Sequence, residues 1–200
     1  MRHAICACLV VLASPLVHVS MGHGAEAPQD PVEAVWRAQR LPFQYRSEGR
    51  MYPCDILEHK IRRILTQLGA SDRLVVQRVA CRDFAGAALL EVIIESPVIA
   101  TPENIHAITQ YTSEDELIAR LRGVPLPAAE DLQRFPAVWE SIVLQRAPKV
   151  YLENGDCALV QQLRRQILPK MSVQIVRDID RADCTQASPR LTVLALVARL

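Results

Sequence analysis

The sequence carries almost no net charge, and this shortage argues against two classes of partner. Its 23 basic side chains nearly balance its 22 acidic ones, which leaves a formal net charge of +1. Nucleic acids and anionic membranes attract proteins through an excess of basic charge. We therefore predict neither of them as a partner. Hydrophobic residues make up 50% of the chain, which indicates a folded core rather than a disordered protein.

The chain also lacks the short motifs that mark common enzymes and cofactor sites. It contains no G-x-S-x-G, H-E-x-x-H, Walker A or G-x-G-x-x-G sequence. The acidic run Glu114–Glu116 lacks the glycine and the spaced oxygen ligands of a calcium loop, and it is typical of a helix N-terminus. The sequence therefore predicts no catalytic residue, no cofactor and no metal ion.

Isolated polar residues are the remaining candidates for chemistry. His59 falls on the polar side of a predicted helix, where solvation explains it. His106 falls on a predicted irregular connector and could act as a base, although no motif places Ser, Cys or Asp beside it. Asp55 and Asp156 stand at predicted helix starts, where capping explains them. None of the four is predicted to be catalytic.

A long apolar run occurs only near the N-terminus. A basic residue precedes an apolar stretch over residues 4–19, and an A-x-A site ends at Ala27. This order is typical of a secretory signal peptide, residues 1–27. The stretch is shorter than the roughly 20 residues that a membrane span needs, and Pro15 interrupts it. We predict a mature protein of residues 28–200, periplasmic or secreted, without a membrane span.

The mature chain opens with a predicted helix followed by a predicted strand. Asp30 is a possible N-cap, Pro31 suits the first helical position, and Val32 and Trp36 are spaced four apart. The segment from Leu41 to Arg46 is then typical of a strand.

The next segment predicts a helix and two strands. Residues 54–68 place apolar side chains three and four apart, which favours an amphipathic helix. Residues 74–80 and 88–95 are rich in β-forming residues. Glu91 and Glu95 share one face of the second strand, and alternation on a half-exposed strand explains them better than an acid pair does. This half is therefore predicted to be β-α-β-β.

The second half predicts the same order. A strand is expected over residues 139–145, with a short extra strand over 150–152. A helix is expected over residues 157–170, a strand around 173–179, and a covered strand over 190–200.

The connector between the halves predicts two short helices. Ser113 and Glu116 have the spacing of a capping box, and Gly123 should end the first helix. A second short helix is expected between Pro127 and Pro136.

A cysteine frame occurs twice. Both Cys54–Cys81 and Cys157–Cys184 read as Cys, seven residues, Arg-x-Ile-Leu, fifteen residues, Cys. The equal spacing, together with a helix and strands in the same order, predicts an internal duplication.

The geometry of a helix and a returning strand predicts how the cysteines pair. A helix of about 15 residues rises roughly 22 Å, and a strand of about seven residues returns roughly 23 Å. Each strand end should therefore come back beside its helix start, which predicts the disulfides Cys54–Cys81 and Cys157–Cys184. A zinc site is the rival reading, but these cysteines lack the close pairing of zinc ligands. A redox site is also disfavoured because no C-x-x-C occurs in the mature chain.

Several short segments resemble a family of uncharacterised exported proteins of proteobacteria. The resemblance covers most of the mature chain and implies a Gram-negative periplasm, but it implies no substrate and no functional residue. The segments that carry it are Tyr52-Pro53-Cys54-Asp55, Leu68-Gly69-Ala70, Leu117-Ile118-Ala119-Arg120-Leu121-Arg122-Gly123 and Gly155-Asp156-Cys157.

These patterns together predict an α+β protein with one domain. Two pseudo-repeated β-α-β-β halves, about residues 41–96 and 138–200, each hold one disulfide and are joined by a helical connector of about residues 97–137. For function we predict a non-catalytic exported binding or structural module that contacts a protein or small molecule through a sheet edge or the groove between the halves. The alternative is a small periplasmic hydrolase-like enzyme without a recognisable motif, with His106 as the first residue to test.

Overall fold

A computed structural model describes residues 30–148, 150–179 and 189–199. The chain has an α+β fold. Its strands are β1 (Val32–Arg46), β2 (Tyr52–Pro53), β3 (Val75–Ala80), β4 (Phe84–Ala85), β5 (Ala87–Ile99), β6 (Arg134–Val143), β7 (Val173–Arg177) and β8 (Thr192–Ala198). Its helices are α1 (Cys54–Gln67), α2 (Pro102–Thr109), α3 (Ser113–Arg122) and α4 (Cys157–Gln166).

Six strands form one antiparallel sheet, in the order β3-β5-β1-β6-β8-β7. β2 and β4 form a separate two-stranded sheet. β1 and β6 lie at the centre and pair through Val32–Val35 and Arg134–Ala137. After β1 the chain runs through α1 to the edge strand β3 and then to β5, which lies between β3 and β1. After β6 it runs in the same way through α4 to the edge strand β7 and then to β8, which lies between β7 and β6. The order of the strands is therefore symmetric about the β1–β6 pair.

The helices α1 and α4 bury their apolar faces in one hydrophobic cluster with the sheet. β5 contributes alternate residues to this cluster because side chains on a strand alternate between faces. The helix residues in the cluster include Leu57, Ile61, Ile64 and Leu65 from α1, and Leu159, Val160 and Leu163 from α4. A smaller cluster covers the β1–β6 junction, where the rings of Trp36 and Phe135 lie 4.7 Å apart between centroids.

The predicted amphipathic helix of the first half is confirmed as α1. Gly69 follows it with φ of +94°, a backbone conformation that favours glycine. A Cβ atom at this position would lie 2.5 Å from the carbonyl oxygen of Leu196 in β8. Glycine is therefore required here both by the backbone and by the close approach of the sheet.

The helix predicted at the start of the mature chain is wrong, because these residues begin β1. Val32 and Trp36 are four residues apart, and an even spacing fits one face of a strand as well as it fits a helix. β1 pairs with β5 from Ala34 to Arg46, and this long-range pairing overrides the local pattern. The strand predicted over residues 41–46 is thus the second part of a longer one.

The connector differs from its prediction in three places. The stretch around His106 is the helix α2, which begins after Thr101, whose hydroxyl accepts a hydrogen bond from the Asn104 N–H. The capping box of α3 lies one residue earlier than predicted, at Thr112 and Asp115. The helix expected between Pro127 and Pro136 is a single 3-10 turn, followed by β6. Gly123 ends α3 with φ of +65°, as predicted.

The second half follows the prediction in outline. α4 ends at Gln166, and a separate 3-10 turn over Leu168–Lys170 contains Pro169, which cannot continue a regular helix. Residues 150–152 are not a strand, contrary to the prediction. β7 and β8 occupy the predicted positions.

The structure confirms the predicted disulfide between Cys54 and Cys81, whose Cα atoms are 6.1 Å apart. Cys184, the predicted partner of Cys157, lies outside the described residues, as does the predicted signal peptide. Across the ranges that the structure describes, no helix is long and apolar enough to cross a membrane.

Candidate functional site

A pocket of about 280 Å³ opens between α1 and the irregular segment that leads to α4. We call it the α1 pocket. Its lining combines basic side chains with aliphatic and aromatic ones. The lining residues are Arg50, Ile56, His59, Lys60, Arg63, Ile64, Val150, Tyr151, Leu152 and Glu153.

The periodicity of α1 explains which side chains reach the pocket. Ile56, Lys60 and Arg63 lie three and four residues apart, so they form one stripe along the helix. The neighbouring stripe, which includes Leu57 and Ile61, is buried in the core. One helix therefore holds the core with one stripe and lines the pocket with the next.

Asp156 lies beside the pocket and is the most deeply buried charged residue of the site. Its residue exposure is 0%, and three donors converge on its carboxylate. Lys60 Nζ lies 2.7 Å from Oδ2, the backbone N–H of Glu153 donates over 2.8 Å to the same oxygen, and the hydroxyl of Tyr52 donates to Oδ1. A buried carboxylate is tolerated only with such partners. The network therefore ties the start of α1 to the start of α4.

Tyr52 is the neutral member of this network. Burial raises the pKa of its hydroxyl, and the hydrogen bond to Asp156 raises that pKa further. The guanidinium of Arg50 lies 5.3 Å from the centre of its ring, and Lys60 Nζ lies 5.9 Å from it. Tyr52 thus acts as a fixed donor to Asp156 and as an aromatic surface for two cations.

The charges at the pocket mouth are unevenly paired. Arg50 forms an ion pair with Glu153, and Lys60 Nζ lies 3.6 Å from the same carboxylate. Lys60 also donates to the carbonyl of Tyr151 over 3.3 Å. Arg63 has no carboxylate within 4.0 Å among the described residues, and its side chain is exposed. Arg63 is therefore the cation of the lining that is open to an anion from outside.

We call the boundary where α1 or α4 lies against the chain segment beside it a seam. The α1 pocket lies in one seam, and the seam of α4 is closed by hydrogen bonds. Here α4 lies against the edge of β1, where no strand within the described ranges pairs beyond Val35. The amide of Gln162 bonds to both the N–H and the carbonyl of Arg46, each over 2.7 Å. The amide of Gln166 bonds to both groups of Gln44, each over 2.8 Å. Two side-chain amides thus replace the missing strand partner.

The two seams use equivalent helix positions. His59 and Arg63 follow Cys54 by five and nine residues, and Gln162 and Gln166 follow Cys157 by the same intervals. A glutamine amide has both a donor and an acceptor, whereas an arginine has no acceptor. Arg63 therefore cannot cap a strand edge as Gln166 does, and its side of the molecule carries the pocket.

The structure separates the residues singled out in the sequence. His59 is exposed, as predicted, and lines the α1 pocket. His106 is exposed on α2, where its ring nitrogen lies 2.8 Å from the side-chain nitrogen of Gln110. No carboxylate or hydroxyl contacts that ring among the residues described. The structure therefore does not assemble a site around His106.

Three further carboxylates singled out in the sequence, Asp55, Glu91 and Glu95, lie at the surface and outside the α1 pocket. Asp55 is exposed in the first turn of α1, where its charge suits the helix dipole, but the predicted capping role is wrong because Pro53 holds the N-cap position and α1 has no side-chain cap hydrogen bond. Glu91 and Glu95 are half-buried on β5 and face basic side chains, Arg40 at 3.8 Å and Arg73 at 3.7 Å. They are surface ion pairs, which agrees with the prediction from strand alternation.

Sequence reasoning missed the network of Tyr52, Lys60 and Asp156. Asp156 was explained as a side-chain cap of α4, which is wrong, because its carboxylate makes no cap hydrogen bond to that helix. It accepts instead from the Glu153 N–H and from Tyr52 and Lys60, which come from a distant part of the chain. Its only local signal is the position after Gly155 and before a helix, which does not distinguish an exposed cap from a buried one.

In the described parts of the chain, no group of three or more His, Cys, Asp or Glu side chains is placed to hold a metal ion. Comparison of the chain with protein-family models, with curated proteins and with solved structures finds no match in any of the three. The resemblance to exported proteobacterial proteins stays a prediction.

Proposed function

We propose that this protein is a non-catalytic, exported binding module that holds its ligand in the α1 pocket. The observation that carries the proposal is the contrast between the two seams. One is closed by four hydrogen bonds with Gln162 and Gln166, whereas the other holds a pocket lined by Arg63, which has no carboxylate partner in the described part of the chain. The pocket also lies in the groove between the two predicted halves.

The chemistry of the lining favours binding over catalysis. Lys60 and Tyr52 both donate to Asp156, so these three ionisable groups are engaged with one another rather than directed at a ligand. The alternative, a hydrolase-like enzyme, rests on His106. That residue is exposed on α2, and its ring meets no acid or hydroxyl of the described residues, so no observation favours this alternative.

We also propose that the two halves arose by duplication and that each carries one disulfide. The symmetric strand order and the equal cysteine intervals support this proposal. Non-reducing peptide mapping tests the pairing: it should recover Cys54 with Cys81 and Cys157 with Cys184. A peptide that joins cysteines of different halves would contradict the duplication.

Export is the third part of the proposal, supported by the apolar run and the A-x-A site. Expression of the full chain in a Gram-negative host tests it. The protein should be recovered from the periplasm with residues 1–27 removed, which an intact-mass measurement detects. Recovery of the unprocessed chain from the cytoplasm would contradict it.

Blocking the pocket tests the binding function. Ile56 lines the pocket and is 42% exposed, so Ile56→Trp should fill it. Arg62→Trp is the matched control, because Arg62 is exposed on the same helix and does not line the pocket. Native mass spectrometry of protein purified from the host periplasm should show a bound species with the wild type and the control, but not with Ile56→Trp. Equal recovery from all three, or none from the wild type, contradicts the proposal.

A further inference from the structure

We propose that the ligand of the α1 pocket is a small amphipathic carboxylate, with its anionic group at Arg63 and its apolar part against Ile56 and Tyr151. This inference rests on the proposed function, because it names the ligand class of the same pocket. It follows from the arrangement of three features: an available cation, a fixed charge network beside it, and an exposed apolar wall.

The available cation is Arg63. The other two strongly basic residues of the lining are already paired, since Arg50 faces Glu153 and Lys60 faces both Asp156 and Glu153. An arginine guanidinium matches the geometry of a carboxylate through two parallel hydrogen bonds. Arg63 therefore has the charge and the donor geometry to receive a carboxylate.

The fixed network disfavours a cationic ligand. The carboxylate of Asp156 is fully buried and accepts three hydrogen bonds, so its oxygens are not accessible to a cationic ligand. Glu153, the other carboxylate of the site, is already engaged by Arg50 and Lys60. A cation entering the pocket would meet two acids that are already paired and the positive charge of Arg63, which no carboxylate within the described ranges neutralises.

The apolar wall indicates the rest of the ligand. Tyr151 is 75% exposed and Ile56 is 42% exposed, and both line the pocket together with the buried Val150 and Leu152. Contact with an apolar group would remove this surface from water, which is favourable. At about 280 Å³ the pocket lies near the lower end of ligand sites, so we expect a short chain rather than a large lipid.

Three probes with the same chain and different head groups test this inference: octanoate, octan-1-ol and octylamine. Each is titrated into the disulfide-intact protein, and backbone amide shifts are followed by ¹H–¹⁵N NMR. Octanoate should shift the amides of Arg63 and Tyr151 saturably. It should bind about tenfold more tightly than octan-1-ol, as expected for a hydrogen bond to a charged group. Octylamine should bind more weakly than either.

Two variants locate the carboxylate. Arg63→Ala should weaken octanoate binding by about tenfold and leave the binding of octan-1-ol unchanged. Arg62→Ala, the adjacent exposed arginine outside the pocket, should leave the binding of both probes unchanged. Equal effects of the two substitutions would overturn the assignment, since nonspecific attraction to the basic helix would then explain the binding.

The outcomes distinguish this inference from the function on which it rests. If octan-1-ol or octylamine binds as tightly as octanoate, the carboxylate assignment is wrong while the pocket remains a binding site. If no probe shifts the pocket amides but Ile56→Trp still removes the ligand recovered from the periplasm, the ligand class is wrong and the function stands. If Ile56→Trp changes nothing and no probe binds, both are wrong.

Discussion

Two seams join a helix to a distant segment of the chain by different polar contacts. One lies between α4 and β1, and the other lies between α1 and residues 150–153. In the first, Gln162 and Gln166 bond directly to the strand backbone, and the surfaces meet closely. In the second, a buried carboxylate, Asp156, gathers donors from both sides and a pocket remains above it. The difference teaches that helix positions at the same interval from a cysteine bond to a neighbouring strand or stay exposed according to whether their side chains can both donate and accept.

The largest effect should come from removing the charge that holds the open seam. We expect Asp156→Asn to lower the free energy of unfolding by about 3–5 kcal/mol, because it removes the fully buried carboxylate at 2.7 Å from Lys60 and leaves that largely buried cation only the more distant and more exposed Glu153. Urea unfolding at neutral pH measures this. The control Glu153→Gln changes a carboxylate that is 37% exposed and should cost about 1 kcal/mol or less. A smaller loss for Asp156→Asn than for the control would show that the network does not hold this seam.

The closed seam should be weakened next. The double variant Gln162→Ala/Gln166→Ala removes four hydrogen bonds to β1, and we expect a loss of about 2–4 kcal/mol in the free energy of unfolding. Arg165→Ala, an exposed position on the same helix, should change it by less than about 0.5 kcal/mol. If the two variants are equally stable, the amides do not replace a strand partner.

A smaller effect, with a distinct pH dependence, is expected at Tyr52. Its pKa is raised in the folded state by burial and by the hydrogen bond to Asp156, so the unfolded chain loses the phenolic proton first. Its contribution to stability is therefore fully present below about pH 10 and declines as the pH rises above that value.

Tyr52→Phe should cost about 1–2 kcal/mol at neutral pH and should make the decline above about pH 10 less steep. Urea unfolding at a series of pH values measures both effects. Tyr151→Phe is the control: its side chain is 75% exposed and Tyr52 is intact, so the alkaline decline should remain. An unchanged decline in Tyr52→Phe would mean that another group causes it.

The smallest effect is expected at Arg63, the counterpart of Gln166. Arg63→Ala should change the free energy of unfolding by less than about 0.5 kcal/mol, because the side chain is exposed and has no carboxylate partner among the described residues. Gln166→Ala should cost more, since it removes two hydrogen bonds. Urea unfolding of the two single variants compares the seams directly, and equal losses would contradict the distinction between them.

Local patterns predicted the elements whose partners lie close in sequence. α1 has apolar residues at helical spacing and a glycine at its end, and the strand after it returns to place Cys81 beside Cys54. The first part of β1 was predicted wrongly because its partner, β5, lies more than fifty residues away along the chain. Pairing of that kind leaves no mark in the sequence of one strand alone.

The same reason explains what could be foreseen of the candidate site. His59 could be assigned to the exposed side of α1 from periodicity alone. The roles of Lys60 and Asp156 could not, because the two residues are 96 positions apart and their pairing depends on how α1 and α4 pack on one sheet. The groove between the halves was named in advance as a possible binding surface, but the side chains that line the α1 pocket could not be foreseen, since they come from segments about ninety residues apart.

By itself the sequence determined the amphipathic helices, most of the strands and the disulfide between Cys54 and Cys81, because periodicity and short-range geometry decide these features. Only the tertiary structure decided that Gln162 and Gln166 close one seam while Arg63 stands open at the other. The periodicity of the sequence predicts which face of a helix or strand a side chain occupies. The groups that the side chain contacts there depend on packing between distant segments.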